Sequence, residues 1–364
     1  MNKFGAAVLA LAGIALAACG DKSEEKVVNV YNWSDYIDEE ILSEFEAETG
    51  IKVVYDVFDS NDVLETKLLA GGSGYDVVVP SGTFLGRQIQ AGVFQELDRD
   101  KLTNWGNLWD LVLDRTSKWD PGNKYAVNYM WGTTGIGYNV NMVNERMADA
   151  PVNSWDMIFN PEIASKFADC GIYMLDAGDE MIPAALKYIG EDPDSKDVNV
   201  IAKAEAVLMA TRPFIRKFHS SEYIDALANG DICIAVGWSG DVLQARDRAA
   251  EAKNGVEINY VAPVEGALMW FDMMAIPADA THPGNAHTFI NYIMRPEVMA
   301  KASNYVYYAN GNKASEAFLA EDVIGDPAIY PTPEALKTLY ITTPYDTDSQ
   351  RAVTRLWTRV KSGQ

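Results

Sequence analysis

The chain begins, after an apolar leader, with an alternation of short apolar segments and amphipathic segments. Residues 27–31 and 51–58 are rich in β-branched and aromatic side chains, which predicts two strands. Residues 38–49 between them repeat apolar positions at helical spacing and stop before Gly50, a residue suited to ending a helix. The pattern therefore predicts a β-α-β unit.

The alternation continues through the next 30 residues. We expect a second helix, capped by Asn61 and ended by the glycines of 71–74, and then a short apolar strand over 75–79 that stops at Pro80. A β-α-β-α-β order favours a parallel sheet covered by helices on both faces.

The middle of the chain repeats this style. Residues 125–130 and 135–139 read as two strands on either side of 131–134, which we interpret as a crossover between two lobes. A later strand over 232–236 precedes a helix over 241–252.

Aromatic rings and acids recur where these strands end, at the edge where parallel sheets collect ligands. Trp33, Ser34, Asp35 and Tyr36 follow the first strand. The later candidates of the same kind are Ser81, Trp238, Asp241, Trp270, Asp272 and Tyr308. An aromatic face attracts a cation by roughly 0.5–2 kcal/mol, and a carboxylate forms charge-assisted hydrogen bonds with an ammonium. The repetition predicts a pocket for an organic amine, although any single ring could be core packing and Asp241 could be a helix cap.

Length and net charge narrow the class of protein and its possible partners. The 364 residues carry a formal net charge of −22, and such a surface repels nucleic acid and anionic lipid. About 345 residues after the leader suffice for two domains with their own cores.

The leader itself predicts export. Lys3 precedes a short apolar segment, and small residues lead up to Cys19, as in a secretory signal peptide over 1–18. The sequence around Cys19 also fits a lipobox, with Cys19 as the lipidated first residue and 19–26 as a polar tether; the alternative is an ordinary signal with a coincidental cysteine. The two remaining cysteines, Cys170 and Cys233, are either one disulfide or two buried thiols, and export favours the disulfide.

Enzyme signatures are incomplete. Residues 237–241 resemble a nucleophile elbow but end in Asp241 instead of glycine. The glycines at 135 and 137 lack the third glycine of a dinucleotide fingerprint, and the three histidines lack zinc-protease spacing. We therefore expect no catalysis, no metal and no cofactor.

Six segments resemble the periplasmic polyamine-binding proteins of ABC importers, and the putrescine-binding branch most. These segments are residues 31–37, 75–81, 218–223, 228–233, 237–242 and 308–310. The likeness spans essentially the whole exported chain. It implies an α/β, two-lobed type II periplasmic-binding-protein fold with mixed, mainly parallel sheets flanked by helices.

The resemblance also implies roles for individual residues. Trp33, Tyr36, Trp238, Trp270 and Tyr308 correspond to rings around the ligand. Acids and hydroxyls for its amines correspond to Ser34, Asp35, Ser81, Glu180, Asp241 and Asp272, and the family's disulfide corresponds to Cys170 and Cys233.

The domain organisation implied is lobe 1 over 27–131, lobe 2 over 132–257, lobe 1 again over 258–318, and lobe 2 with C-terminal helices over 319–364. The implied partners are putrescine or spermidine and a permease in the inner membrane, and the protein is expected to act as a periplasmic monomer. Trp270 stands where a phenylalanine can occur in putrescine binders, so spermidine, or both amines, stays open. A binder of another solute, such as an amino acid or a sugar, would share the fold.

Overall fold

The computed structural model describes residues 25–364. The leader, Cys19 and most of the expected tether lie outside these residues. The described chain forms ten strands and sixteen α-helices, with short 3-10 turns between them.

The strands are β1 (Val27–Trp33), β2 (Lys52–Phe58), β3 (Val77–Val78), β4 (Ala126–Asn139), β5 (Ile172–Met174), β6 (Ile215–Phe218), β7 (Ile234–Trp238), β8 (Ile258–Val261), β9 (Met269–Ala275) and β10 (Ala309–Asn310). The helices are α1 (Glu39–Thr49), α2 (Asn61–Ala70), α3 (Gly82–Gln90), α4 (Asp110–Thr116), α5 (Val140–Arg146), α6 (Asp156–Phe159), α7 (Pro161–Ala164), α8 (Gly178–Tyr188), α9 (Val198–Ile201), α10 (Lys203–Thr211), α11 (Tyr223–Ala228), α12 (Ser239–Ala252), α13 (Pro283–Ile293), α14 (Pro296–Val306), α15 (Glu321–Ile324) and α16 (Thr347–Ser362).

The α/β class is confirmed, and the strands form two groups. β1 pairs in parallel with β2 and β3, and β5 pairs in parallel with β6 and β7. The pairings of β4 with β7, β8, β9 and β10 are antiparallel. Parallel pairing thus dominates the flanks of the sheet, whereas its centre is antiparallel.

Strand β4 joins the two lobes. Its first half pairs with β9, up to the contact of Thr133 with Met269, and its second half pairs with β7 from Thr134 onward. The prediction of two separate strands was wrong, because the backbone stays extended through 131–134 and all of it is buried. The change of pairing from β9 to β7 nevertheless falls within this segment, where the crossover between lobes was expected. Lobe 1 is defined here as the strands around β1, β3 and β9, and lobe 2 as those around β5, β7 and β8.

The second crossing lies later than expected. β8 pairs with the second half of β4, so it belongs with lobe 2. β9 pairs with β3 and with the first half of β4, so it belongs with lobe 1. The chain therefore crosses between residues 261 and 269, and the boundary expected at 258 is too early.

Local sequence accounts for the helix starts near the first lobe's edge. Asp38 caps α1 by accepting a hydrogen bond from Glu40 N, and Gly50 ends that helix with φ 67°. Ser60, and not Asn61 as expected, caps α2 by accepting from Val63 N. Asn61 is left free to turn its amide toward the carboxyl end of β3.

Cys170 and Cys233 form the expected disulfide, with their Cα atoms 5.5 Å apart. It ties the segment just before β5 to the residue before β7. Within residues 25–364, no helix has the length and apolar character needed to cross a membrane.

Candidate ligand-binding site

The carboxyl ends of strands from both lobes meet at one cavity of about 40 Å³. Ten of the eleven residues expected from the sequence line it: Trp33, Ser34, Tyr36, Ser81, Glu180, Trp238, Asp241, Trp270, Asp272 and Tyr308. Asn61 completes the lining. The structure thus brings together side chains that are more than 270 positions apart in the sequence.

Strand ends and helix starts deliver these side chains. Trp33 is the last residue of β1 and Trp238 the last of β7. Glu180 lies in the first turn of α8 and Asp241 in the first turn of α12. Because the N-terminal end of a helix carries partial positive charge, both positions favour an ionised carboxylate.

Asp272 is buried and receives two hydroxyl donors. Ser81 donates its hydroxyl to Oδ1 at 2.6 Å, and Tyr36 donates to Oδ2 at 2.7 Å. Ser81 is itself held by Asn61, which donates from Nδ2 to the Ser81 hydroxyl at 3.0 Å.

Asp241, which belongs to lobe 2, also receives two hydroxyl donors. Tyr308 donates to Oδ1 at 2.6 Å and Tyr223 donates to Oδ2 at 2.7 Å. Its carboxylate is engaged by these tyrosines, while Trp238 occupies the cap position of α12. The alternative that Asp241 serves only as a helix cap is therefore wrong.

Glu180 lines the cavity from the start of α8. The indole Nε1 of Trp238 donates to its two oxygens at 3.1 and 3.2 Å, and the Thr134 hydroxyl also donates to it. Thr134 is the residue at which β4 passes from lobe 1 to lobe 2.

Burial disfavours the charged form of all three acids. It raises the pKa of Asp241 to about 6, that of Asp272 to about 7 and that of Glu180 to about 8. Their hydroxyl and indole donors oppose the rise, whereas neighbouring carboxylates add to it. A cation inside the cavity would reverse this effect, since an opposite charge nearby favours the ionised form.

Aromatic rings surround the acids. Trp33 and Trp238 meet edge to face across the lobes with their centroids 5.7 Å apart. Tyr308 contacts both Trp270, at 5.1 Å, and Tyr36, at 5.3 Å. The rings supply apolar walls for methylene groups and π-faces for ammonium groups.

Asp35 is the expected site residue that the structure does not place in the cavity. It adopts a left-handed backbone conformation with φ 52°, so Ser34 and Tyr36 face the cavity while its own side chain turns away. Its carboxylate pairs instead with Arg248 at 2.9 Å, partly exposed at the lobe interface.

Sequence reasoning missed three residues that shape the site. Asn61 was read only as a helix cap, and Thr134 only as part of a crossover. Tyr223 lies in a segment that carried the family resemblance, but its role as a fully buried donor behind Asp241 was not identified. Nothing in the local pattern around Asn61 or Thr134 indicates a site.

The arrangement suits recognition of a small organic cation. Of the residues that the structure describes, no Lys, Arg or His lines the cavity. Between Glu25 and the C-terminus, no three His, Cys, Asp or Glu side chains are grouped to hold a metal ion.

The comparisons with known proteins agree with this geometry. The family model for bacterial extracellular solute-binding proteins matches residues 40–332. The putrescine-binding periplasmic protein SpuD of Pseudomonas aeruginosa is 50% identical over the full length of both chains. PotF of Escherichia coli, also named a putrescine-binding periplasmic protein, is 51% identical over 94% of this chain and 93% of its own.

Solved structures show the same fold. The spermidine/putrescine ABC transporter substrate-binding protein PotD of Streptococcus pneumoniae superposes with a TM-score of 0.77 at 29% identity, covering 93% of this chain and 99% of PotD. The Tp0655 (TpPotD) lipoprotein of Treponema pallidum also gives a TM-score of 0.77, at 25% identity over 92% of this chain and 99% of that one. The chain therefore belongs to the bacterial extracellular solute-binding protein family.

Proposed function

We propose that this protein is the solute-binding component of a polyamine ABC importer and that it captures putrescine between its lobes. The observation that carries the proposal is the arrangement of charge and rings around one cavity between the lobes. Asp241 and Asp272 are linked through the contacting rings of Tyr308 and Tyr36, and Glu180 enters separately beside Trp238. Acids carried by separate elements around an aromatic-walled cavity match a short chain with an ammonium at each end.

Relatives support the identity of the solute. SpuD and PotF, each about half identical to this chain, are both named putrescine-binding periplasmic proteins. The cavity is also small, because its free space of about 40 Å³ is only a few times the roughly 10–15 Å³ that a single water needs. A four-carbon diamine fits that scale better than a longer amine.

Capture follows from the division of the site between lobes. Trp33, Tyr36 and Asp272 belong to lobe 1, whereas Trp238 and Asp241 belong to lobe 2. An amine therefore gains its full set of contacts only when the lobes close, and this difference in affinity shifts the balance toward the closed form. The closed form then delivers the solute to the membrane permease.

The family and its named relatives are binding proteins for transport, and we assign this chain the same non-enzymatic role in the periplasm. Attachment to a membrane through lipidated Cys19 belongs to the proposal. It is supported by the lipobox in the sequence and by the structural neighbour from Treponema pallidum, which is named a lipoprotein.

A spermidine-preferring or dual binder is the second candidate. Two features favour it: the cavity carries three acids, and Trp270 stands where the putrescine branch can have a smaller ring.

Titration calorimetry with putrescine, spermidine and a neutral amino acid tests the function. We expect both amines to bind and the amino acid to give no heat. Asp241→Asn and Asp272→Asn should each weaken the amines at least about thirtyfold, because removing one partner of a buried ionic contact costs about 2–5 kcal/mol. Asp247→Asn, an exposed acid on the same helix as Asp241, is the matched control and should bind like the wild type. Unchanged amine affinity in both site variants would refute the proposed site.

A further inference from the structure

The number of charges in the cavity does not match a diamine. Three carboxyl groups line it, and among the described residues no basic side chain does. A diamine brings two positive charges, so three ionised carboxylates would leave one buried negative charge without compensation. Such a charge is costly, and a buried acid ordinarily avoids the cost by keeping its proton.

The hydrogen bonds around Asp241 fix it as an acceptor. The Tyr308 hydroxyl accepts from Asp241 N at 3.0 Å, and the Tyr223 hydroxyl accepts from Trp238 N at 3.1 Å. A backbone N–H can only donate, so it occupies a lone pair of each hydroxyl. Within the described chain the carboxylate is the one acceptor hydrogen-bonded to either hydroxyl, and both protons are therefore directed to it.

One donor to Asp272 is fixed in the same way. The Ser81 hydroxyl accepts from Asn61 Nδ2 and directs its proton to Asp272. The orientation of the Asn61 amide is set because its Oδ1 accepts from Ser81 N at 3.1 Å. Three of the four hydroxyls on the two aspartates are therefore arranged for ionised acids.

The surroundings of Glu180 differ. Within the described chain, the Thr134 hydroxyl is hydrogen-bonded to Glu180 and to no other group. A hydroxyl can donate or accept, so it can rotate and accept a proton from a neutral Glu180 without losing the contact. Glu180 is thus the acid that keeps its hydrogen bonds in both protonation states.

Burial and two neighbouring acids favour the neutral form of Glu180, and they outweigh the partial positive charge at the start of α8. Burial raises the pKa of Glu180 most. The charges of Asp179 on the same helix and of Asp272 on β9 add to this rise, and the pKa reaches about 8. The charge of Glu180 in turn raises the pKa values of the hydroxyls of Tyr223 on α11, Tyr260 on β8 and Tyr340 in the C-terminal segment.

We propose that Glu180 sets the number of ligand charges that the site accepts: it stays protonated when the cavity holds a diamine and ionises when the cavity holds a triamine. The inference rests on the proposed function and adds to it a determinant of selectivity. With a triamine, the proton of Glu180 leaves to solvent and the three carboxylates meet three ammonium groups.

The proton count can be measured directly on the wild-type protein. Calorimetry in two buffers of different ionisation enthalpy, between pH 6 and 7.5, gives the protons released on binding putrescine and spermidine. At pH 7 we expect spermidine to release about one proton more than putrescine, since a group with a pKa near 8 is about nine-tenths protonated there. The affinity ratio of spermidine to putrescine should rise several-fold across this pH range.

The variant Glu180→Gln mimics the neutral acid and tests whether the proton released on binding spermidine comes from Glu180. The variant should bind putrescine within about threefold of the wild type, bind spermidine at least about tenfold more weakly, and lose the difference in proton release. Asp272→Asn should weaken both amines, which separates the two kinds of acid. Thermal unfolding verifies that each variant is folded.

Two results would overturn the inference. One is equal proton release for the two amines in the wild type, and the other is a Glu180→Gln variant that loses putrescine as fully as Asp272→Asn does. Absence of binding of either amine to the wild type would instead refute the proposed function.

Discussion

The orientation of the Asp241 carboxylate depends on a residue that does not line the cavity. Tyr223 is fully buried, does not line the cavity, and connects two site residues by donating to Asp241 and accepting from Trp238 N. It holds the carboxylate in one orientation while fixing the backbone at the end of β7. Tyr223 is a positioning residue in this sense.

Tyr223→Phe removes that hydroxyl and little else. We expect amine affinity to fall by about tenfold to a hundredfold, because a hydrogen bond to a charged group is worth about 1.5–3 kcal/mol. The measurement is calorimetry with putrescine. Tyr305→Phe, at a ring that is 54% exposed, is the control and should have no effect. An unchanged affinity for Tyr223→Phe would show that the hydrogen bond from Tyr223 is not needed to orient Asp241.

Asp35 shows, also at the scale of single residues, that a role assigned from a family resemblance can be wrong for one residue. The sequence places it between two cavity residues, and the resemblance assigned it to an amine. Its left-handed φ reverses the direction of its side chain, and such a backbone angle cannot be read from a single Asp. Its pairing partner Arg248 lies 213 positions away, so local pattern could not indicate the pair either.

At the scale of helices and strands, close packing decides where the site residues can stand. Gly240, in the first turn of α12, lies against the ring of Tyr308, and a Cβ there would come within 2.6 Å of the ring atoms Cδ2 and Cε2. This close approach is what lets the Tyr308 hydroxyl reach both the carboxylate and the backbone N–H of Asp241.

Gly240→Ala therefore separates helix stability from binding. Alanine is favoured over glycine in a helix by about 1 kcal/mol, but its methyl group would displace the buried Tyr308 ring. We expect a folded protein whose putrescine affinity is reduced at least about tenfold, measured by calorimetry beside thermal unfolding. Gly106→Ala, where a Cβ meets nothing within 4 Å, is the matched control. Wild-type affinity in Gly240→Ala would mean that the Tyr308 contact does not matter.

Elements with a strong period were predictable, and elements defined by long-range pairing were not. The period-2 and helical patterns placed β1, β2, α1 and α2 to within a few residues. The segment 131–134 was read as a break between two strands where the chain passes between lobes, yet it is the middle of one strand. Its pairing with β9 and β7, more than 100 positions away, holds it extended, and a single sequence does not contain that information.

For the whole molecule, the two lobes share the site and its electrostatic cost. Lobe closure is secured by direct contacts such as Trp33 with Trp238, Tyr308 with Asp241 and Arg248 with Asp35. The same closure removes three carboxyl groups from water. Closure and the protonation of these groups must therefore be linked.

The direction of that linkage predicts how pH shifts the equilibrium between the open and closed forms of the ligand-free protein. In the closed form the three acids have pKa values of about 6, 7 and 8, above the ordinary values of 3.8 for Asp and 4.5 for Glu that they approach when the cleft opens to water. The closed form therefore binds more protons than the open form between about pH 4 and pH 8, and raising the pH through this range favours opening. Small-angle X-ray scattering without ligand should give a smaller radius of gyration at pH 5 than at pH 8. A variant combining Asp241→Asn, Asp272→Asn and Glu180→Gln should lose this pH dependence, because its cavity has no carboxyl group left to titrate. A wild-type radius that stays constant or grows on acidification would contradict the linkage, since the protons bound on closure would then have to reside elsewhere.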